Sequence, residues 1–296
     1  MKEPPELSVV VPVFNEEQVL PETAPKIVEF CLSHNWQLVF VDDGSSDQSG
    51  AFLDGLGRDP EIRVLHHKVN RGYGRAIKTG IRNADAPFLA TIDSDGQHEV
   101  SDLAKIFEFA VSKDADLVVG NRGTKGNEDP YRALGKRIIR GFTRLLMPLP
   151  IEDLNSGFKI YRTNLAKRYQ LVCPDTMSFS DVITLVFIHK GCLVLEHPIQ
   201  VNPRKAGRST INTYTAVQTI LEILNIVLLF DPLRIFLPLS LLLVLAGLLW
   251  GTIIYMLMHR GLSVAAMLSI VTGLIFFILG LLANQISSMR MERLEE

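Results

Sequence analysis

Two apolar stretches near the C-terminal end, residues 233–257 and 263–286, constrain this chain more than any other feature. Arg234 is the one charge in the first stretch, and the second has none before Arg290. A helix needs about 20 apolar residues to cross a hydrocarbon core of about 30 Å, and each stretch exceeds that. One short apolar run could be a buried core helix; two runs this long favour a membrane. Only Met258-His259-Arg260-Gly261-Leu262 joins them, so they are expected to form a transmembrane hairpin within 232–296.

The charges around the hairpin predict its orientation. The short connector has one arginine, while Arg234, Arg290, Arg293 and the basic run 204–208 lie on the other side. Positive residues near helix ends favour the cytoplasmic face, so both termini are expected there. The segment 211–231 reads as an interfacial helix rich in apolar residues. Asp231-Pro232 ends it, because proline disfavours helix at the residue before it. Gly247, Gly251, Gly273 and Gly280 permit close helix contact. That contact serves either a homo-oligomer or the hairpin's own packing.

The remaining residues, 1–210, make a second region with a different pattern. With 296 residues in all, the chain has room for a large domain with a real core. A net charge of −2 gives no general basicity, so nucleic acid is not an expected partner. The three cysteines, Cys31, Cys173 and Cys192, are far apart and form neither a metal spacing nor a disulfide framework, which suits a reducing compartment. Met1-Lys2-Glu3-Pro4-Pro5-Glu6 leads straight into a strand without a signal-peptide pattern, so this region is expected to face the cytoplasm.

Short apolar runs at 7–14, 37–42, 62–66, 87–92 and 116–120 alternate with amphipathic segments at 18–33, 48–56, 73–84 and 101–112. That spacing predicts βαβ units, hence an α/β fold with a mainly parallel sheet and helices on both faces. Ligands of such sheets collect beyond the carboxyl ends of the strands. Three of those ends are polar: Asn15-Glu16-Glu17, Asp42-Asp43, and Asp93-Ser94-Asp95-Gly96-Gln97. Asp93 and Asp95 follow the apolar run Leu89–Ile92, and paired hard oxygens there suit Mg²⁺ or Mn²⁺ shared with substrate phosphates. A plain polar turn uses the same residue types, so the residues alone leave both readings open.

The motifs together resemble a known family. They are Val9-Val10-Val11-Pro12-Val13-Phe14-Asn15-Glu16-Glu17, Val41-Asp42-Asp43-Gly44-Ser45-Ser46-Asp47, Asn70-Arg71-Gly72-Tyr73-Gly74-Arg75-Ala76, Asp93-Ser94-Asp95-Gly96-Gln97-His98, Asn155-Ser156-Gly157-Phe158 and Arg204-Lys205-Ala206-Gly207-Arg208-Ser209. In this order they resemble family 2 glycosyltransferases of GT-A fold. Within that family they are most similar to polyprenyl-phosphate sugar synthases of the dolichol-phosphate mannosyltransferase and undecaprenyl-phosphate glucosyltransferase type.

The resemblance implies a nucleotide-diphosphate sugar as donor and a polyprenyl (dolichyl or undecaprenyl) phosphate as acceptor. Pro12, Phe14 and Glu16, with Asp42 or Asp43 and with Asp93 and Ser94, would bind the nucleotide. Phe14 stands where many relatives have tyrosine. Asp93, Asp95 and Gln97 would hold Mg²⁺ or Mn²⁺, with His98 beside them; Val100 replaces a proline common in relatives. The Asn70–Ala76 loop would let the backbone approach the donor, since glycine lacks a Cβ. Glu17, Asp47 and Asp181 read as capping or structural, and Asp153 as a group that orients the sugar.

For the acceptor, the resemblance implies that Arg122, Arg132, Arg204 and Ser209 bind phosphate, arginine's fork being suited to its oxygens. Asp95 and Arg122 would be catalytic. Arg132, Lys136, Arg140 and Arg144 share one helix face. That stripe is either a solvated face or a surface for anionic membrane lipids. Thr210 stands where most relatives have lysine, with Arg208 as the nearest substitute charge. The implied reaction is a single displacement with inversion, and the donor is either GDP-mannose or a UDP-glucose or UDP-N-acetylhexosamine type sugar. Two rival readings are a processive polysaccharide synthase and a non-catalytic nucleotide-binding scaffold. The first lacks its Gln-x-x-Arg-Trp motif here, since neither Trp36 nor Trp250 follows arginine. A nucleotidyltransferase would leave the hairpin unexplained.

Overall fold

The computed structural model describes residues 4–59, 61–123, 150–154, 156–202, 228, 230–258 and 263–292. These fall into two units, an α/β unit that runs to residue 202 and a C-terminal helical hairpin. Several expected features lie outside the described residues. They are Asn155, the Arg132–Arg144 stripe, the Arg204–Thr210 segment, most of the interfacial helix and the hairpin connector from His259.

The α/β unit is built on seven strands: β1 (Leu7–Val13), β2 (Gln37–Asp42), β3 (Ile62–His66), β4 (Phe88–Thr91), β5 (Leu117–Asn121), β6 (Lys159–Arg162) and β7 (Val194–Pro198). They form one sheet in the order β3-β2-β1-β4-β6-β5-β7. Pairing is parallel from β3 through β4 and between β5 and β7. Only β6 runs antiparallel, wedged between β4 and β5. Because β6 is reversed, β5 keeps the direction of β4. The carboxyl ends of β1, β2, β4 and β5 and the start of β6 therefore share one edge.

The helices are α1 (Leu20–Ser33), α2 (Ser49–Leu56), α3 (Tyr73–Arg82), α4 (Asp102–Ser112), α5 (Thr163–Tyr169) and α6 (Phe179–His189). Strand side chains alternate between faces, and β1 shows how that builds the core. Val9, Val11 and Val13 join Leu20, Ala24 and Ile27 of α1 and Leu103 and Ile106 of α4 in one buried cluster. Val10 points the other way and packs on Gly80 of α3, where any Cβ would collide with its methyls. Burial of one such aliphatic side chain contributes about 1.5–3 kcal/mol, so the doubly covered strands hold the sheet's centre. The helices thus cover both faces, as the alternating pattern predicts.

The second unit consists of α7 (Leu233–Met258) and α8 (Val264–Glu292). At 1.5 Å per residue they extend about 39 and 44 Å. Their outward side chains are large and apolar, with Leu242, Leu249, Trp250 and Met267 all more than half exposed. Such surface suits hydrocarbon rather than water. Glycines fill the seam between the helices: a Cβ on Gly247 would lie 2.8 Å from Ile270, one on Gly273 2.7 Å from Val244, and one on Gly280 2.6 Å from Phe236. Of the two uses expected for these glycines, the structure shows the intramolecular one.

Candidate functional site

A cavity of about 480 Å³ opens at the carboxyl edge of the sheet. The expected nucleotide residues Pro12, Phe14, Glu16, Asp43, Asp93 and Ser94 line it, as do Asp95, Gln97 and Arg122. It is also lined by Asn70, Tyr73, Gly157, Met177 and Ser180, none of which the sequence had marked as ligand-facing side chains. Arg132, Arg204 and Ser209 lie outside the described residues.

The β1 and β2 ends are laced into a single rim. Asn15 adopts φ +54°, a left-handed conformation that asparagine tolerates. Its Oδ1 accepts from Ser46 N at 2.8 Å, and its own N–H donates to Ser45 Oγ at 3.0 Å. Glu17 N–H donates to Asp47 Oδ2 at 3.1 Å, while Gln48 N–H donates to Glu17 Oε2 at 3.1 Å. Glu17 and Asp47 thus tie two loops to each other, and Asp47 Oδ1 also accepts from Ser49 N–H at 2.9 Å at the start of the helix that follows it.

Asp42 and Asp43 take different roles. Asp42 is absent from the cavity wall; its Oδ1 accepts from Ser45 N at 2.9 Å and its Oδ2 from His66 at 2.9 Å. Burial works to raise its pKa, but the bonds from Ser45 and His66 outweigh that and hold it below the usual carboxylate range. Asp43 reaches the cavity, yet most of its accepting capacity is already used. Its Oδ1 accepts from Arg71 N–H at 3.0 Å and from His67 Nδ1 at 2.6 Å, and its Oδ2 from Gly72 N–H at 2.8 Å. An ionised carboxylate only accepts, so His67 carries its proton on Nδ1 and turns Nε2 to Thr79 Oγ1 at 2.9 Å.

The glycines of Asn70–Ala76 accommodate a neighbouring stretch of the chain. A Cβ on Gly72, which has φ +96°, would lie 2.5 Å from Asp175 O, and one on Gly74 2.6 Å from Pro174 O. The close approach they allow here is between two segments of the chain. Lys78 locks the same contact by donating to Asp175 Oδ1 at 2.6 Å and to Cys173 O at 2.5 Å. From this loop Asn70, Tyr73 and Ala76 reach the cavity wall.

The β4 end is more open. Asp93 and Asp95 are half-buried, and Asp95 Oδ1 accepts from Gln97 N–H at 3.0 Å in a tight turn. Tyr73 donates to Asp93 Oδ1 at 3.0 Å. Burial and the neighbouring Asp93 charge push the Tyr73 phenol well above its usual range, so it keeps its proton. His98 Nε2 is 3.7 Å from Asp93 Oδ2, too far for a hydrogen bond, and its ring stacks on Phe158 with centroids 5.2 Å apart. His98 thus packs beside the acidic pair, and its buried Nδ1 has no partner among the described residues.

Arg122, also in the cavity wall, donates from Nε and one terminal nitrogen to Asp153 at 2.8 Å each, and Arg122 N–H adds a third bond at 3.1 Å. These bonds raise the guanidinium pKa against the effect of burial. They also hold the Asp153 carboxyl below its usual range despite burial. Asp153 is set in turn by Glu196 of β7, whose Oε1 accepts from the Glu152 and Asp153 amides at 2.7 Å each. Beneath them Lys159 is fully buried and donates to Leu154 O at 3.0 Å, to Thr184 Oγ1 at 2.8 Å and to Ser180 O. Burial draws its pKa down to about 8 against the pull of Asp181, Asp153 and Asp93.

Chemically, the cavity wall offers hard oxygen donors from Asp93, Asp95 and Gln97 together with the guanidinium of Arg122. Among the described residues no three His, Cys, Asp or Glu side chains form a closed metal cage. Two carboxylates and an amide in one cavity wall are oxygen donors of the type that a hard divalent cation takes together with phosphate oxygens.

A model of glycosyl transferase family 2 matches residues 8–177, and a model of the GtrB C-terminal hairpin matches residues 231–289. Polyprenol monophosphomannose synthase of Mycolicibacterium smegmatis is 29% identical over 212 residues, covering 68% of this chain and 79% of that protein. Undecaprenyl-phosphate 4-deoxy-4-formamido-L-arabinose transferase of Pectobacterium carotovorum is 27% identical over 233 residues, or 77% of this chain and 69% of that protein. Among solved structures, glucosyl-3-phosphoglycerate synthase of Mycobacterium tuberculosis, in complex with Mn²⁺, UDP and phosphoglyceric acid, superimposes with a TM-score of 0.58. At 18% identity, over 75% of this chain and 78% of that one, the likeness is one of fold.

Proposed function

The chain belongs to glycosyl transferase family 2, and on that premise we propose that it moves one sugar from a nucleoside diphosphate sugar to a polyprenyl phosphate in the membrane. One observation carries this reading most directly. A single cavity beyond the parallel strands brings Asp93, Asp95 and Gln97 together with Arg122. The names of the two curated relatives and the apolar hairpin point to the same acceptor class.

In this reading Pro12, Phe14 and Glu16 form the wall against the nucleoside, and Asp43 sets the loop that closes it. Asp93, Asp95 and Gln97 hold a divalent cation, Mg²⁺ or Mn²⁺. When bound, that ion neutralises charge on the departing diphosphate. Arg122 keeps donors beyond those given to Asp153, since a guanidinium has five, and turns them toward the acceptor phosphate. Arg132, Arg204 and Ser209 are proposed to complete that phosphate site.

A phosphate monoester has a second pKa of about 6, so the acceptor is largely dianionic at neutral pH. Its oxygen attacks C1 of the sugar as the bond from C1 to the diphosphate oxygen breaks, with inversion. No proton has to leave the nucleophile, so the protein's task is alignment and charge stabilisation. The catalytic unit and both termini face the cytoplasm, in keeping with the arginines flanking the hairpin.

The test is sugar transfer to a short-chain polyprenyl phosphate by detergent-purified protein. The assay takes a panel of GDP- and UDP-sugars with Mn²⁺ or Mg²⁺, beside Asp95→Ala. One donor is expected to give cation-dependent product, falling about 100- to 1,000-fold in the variant, an electrostatic loss of the size seen at other preorganised sites. If nucleotide binds but no donor reacts, the proposal fails in favour of a scaffold.

A further inference from the structure

Asp93 is held from two sides by groups outside the acidic motif. Among the described residues the Tyr73 hydroxyl is the one hydrogen-bond donor to its carboxylate, at 3.0 Å on Oδ1. From the other side Gly157 packs so closely that a Cβ there would lie 2.8 Å from Oδ1 and closer still to Oδ2. The Ser180 side chain lies close enough to the Tyr73 hydroxyl to pull its pKa down against burial, and Ser180 is fixed through its own carbonyl by the buried Lys159.

Tyr73 has little freedom to move. It begins α3, directly after Gly72, whose N–H is bound to Asp43. Two residues further on, Arg75 N–H donates to Asp175 O at 3.2 Å, and Lys78 clamps the same segment. The hydroxyl is thus presented from a helix start anchored at the β2 end of the cavity to a carboxylate at the β4 end.

We propose that Tyr73 is a positioning residue for Asp93: its hydroxyl, steadied by Ser180, fixes the carboxylate in the orientation that takes up a divalent cation with the donor diphosphate. This rests on the functional reading above and adds a residue to it. Tyr73 occupies one acceptor position on Oδ1 and leaves the rest of the carboxylate for the ion. Without the hydroxyl the carboxylate loses its hydrogen-bonded anchor, while the aromatic ring can still fill its place.

The experiment measures Mn²⁺ binding directly, by electron paramagnetic resonance, on the full-length protein in detergent with saturating UDP or GDP. Wild type, Tyr73→Phe and Ser180→Ala are compared, and each variant's thermal midpoint is recorded. Tyr73→Phe is expected to weaken Mn²⁺ binding 10- to 100-fold, the usual range for losing a partner of a metal ligand, with its midpoint near that of wild type. Ser180→Ala keeps the bond to Asp93 but loosens the hydroxyl, and a several-fold loss is expected. It also supplies the answer should Tyr73→Phe fail to fold. Mn²⁺ affinities in the folded variants within twofold of wild type overturn the role of Tyr73 alone. Absence of Mn²⁺ binding in wild type with either nucleotide overturns the functional reading as well.

Discussion

The two acidic pairs at the sheet's carboxyl edge look alike on paper and behave in opposite ways. Asp42 and Asp43 are almost fully buried and spend their oxygens on Ser45, His66, His67 and the amides of Arg71 and Gly72. Asp93 and Asp95 are half-buried and each accepts one hydrogen bond among the described residues. The first pair holds loops in place; the second leaves most of its oxygens unspent, and the proposed function assigns them to a ligand. Unused accepting capacity, more than the presence of carboxylates, separates a binding wall from its scaffold.

The largest effect that tests this contrast is expected at Gly157. An alanine there would drive its Cβ into the Asp93 carboxylate, and a misplacement near 1 Å at such a site costs about 100-fold in rate. Gly157→Ala should therefore lose about that much transfer activity with only a small change in thermal midpoint. A large loss of stability with little loss of activity would place Asp93 among the structural carboxylates.

An intermediate effect is expected at Asp43. Asparagine there must turn an NH₂ toward donors it cannot satisfy, either Gly72 N–H or the Arg71 and His67 pair. Leaving buried partners unsatisfied costs about 1–3 kcal/mol, so Asp43→Asn should unfold at clearly lower temperature or denaturant. If it unfolded like wild type while losing nucleotide, Asp43 would belong with the ligand-facing pair.

The smallest effect concerns pH. The folded pKa of Asp42 is depressed, so its ionised form contributes stability that is present above the unfolded value of about 3.9. That contribution is lost as pH falls through the folded value. Unfolding midpoints of wild type and Asp42→Asn should differ by a constant amount from pH 5 to 6 and converge below about pH 4. A gap that persists unchanged to pH 3 would contradict this account.

Much of this fold was legible because β1 to β5 and α1 to α4 follow strict periodicities, and their observed bounds fall within a few residues of the expected ones. Strand β6 was harder to read. Lys159 lies inside it, and no sequence pattern says that a lysine between Phe158 and Ile160 will be fully buried against carbonyls. The acidic motif was visible, but its supports were not. Tyr73 lay in a loop noticed for its glycines, and those glycines turned out to accommodate Pro174 and Asp175. Glu196, far along the chain, sets Asp153 through contacts that only the folded sheet creates. Short-range chemistry was readable; partners brought together by topology were not.

The lengths of α7 and α8 have a consequence for the membrane itself. Helices of about 39 and 44 Å exceed a hydrocarbon core of about 30 Å. The surplus has to be absorbed by inclination of the pair, by deformation of the surrounding lipid, or by turns that emerge into the headgroups. Because the glycine seam joins the helices along their length, they are expected to lean together as one rigid wedge. Bilayer thickness, a property of the lipid mixture and of no residue in the chain, then sets the angle at which this wedge stands.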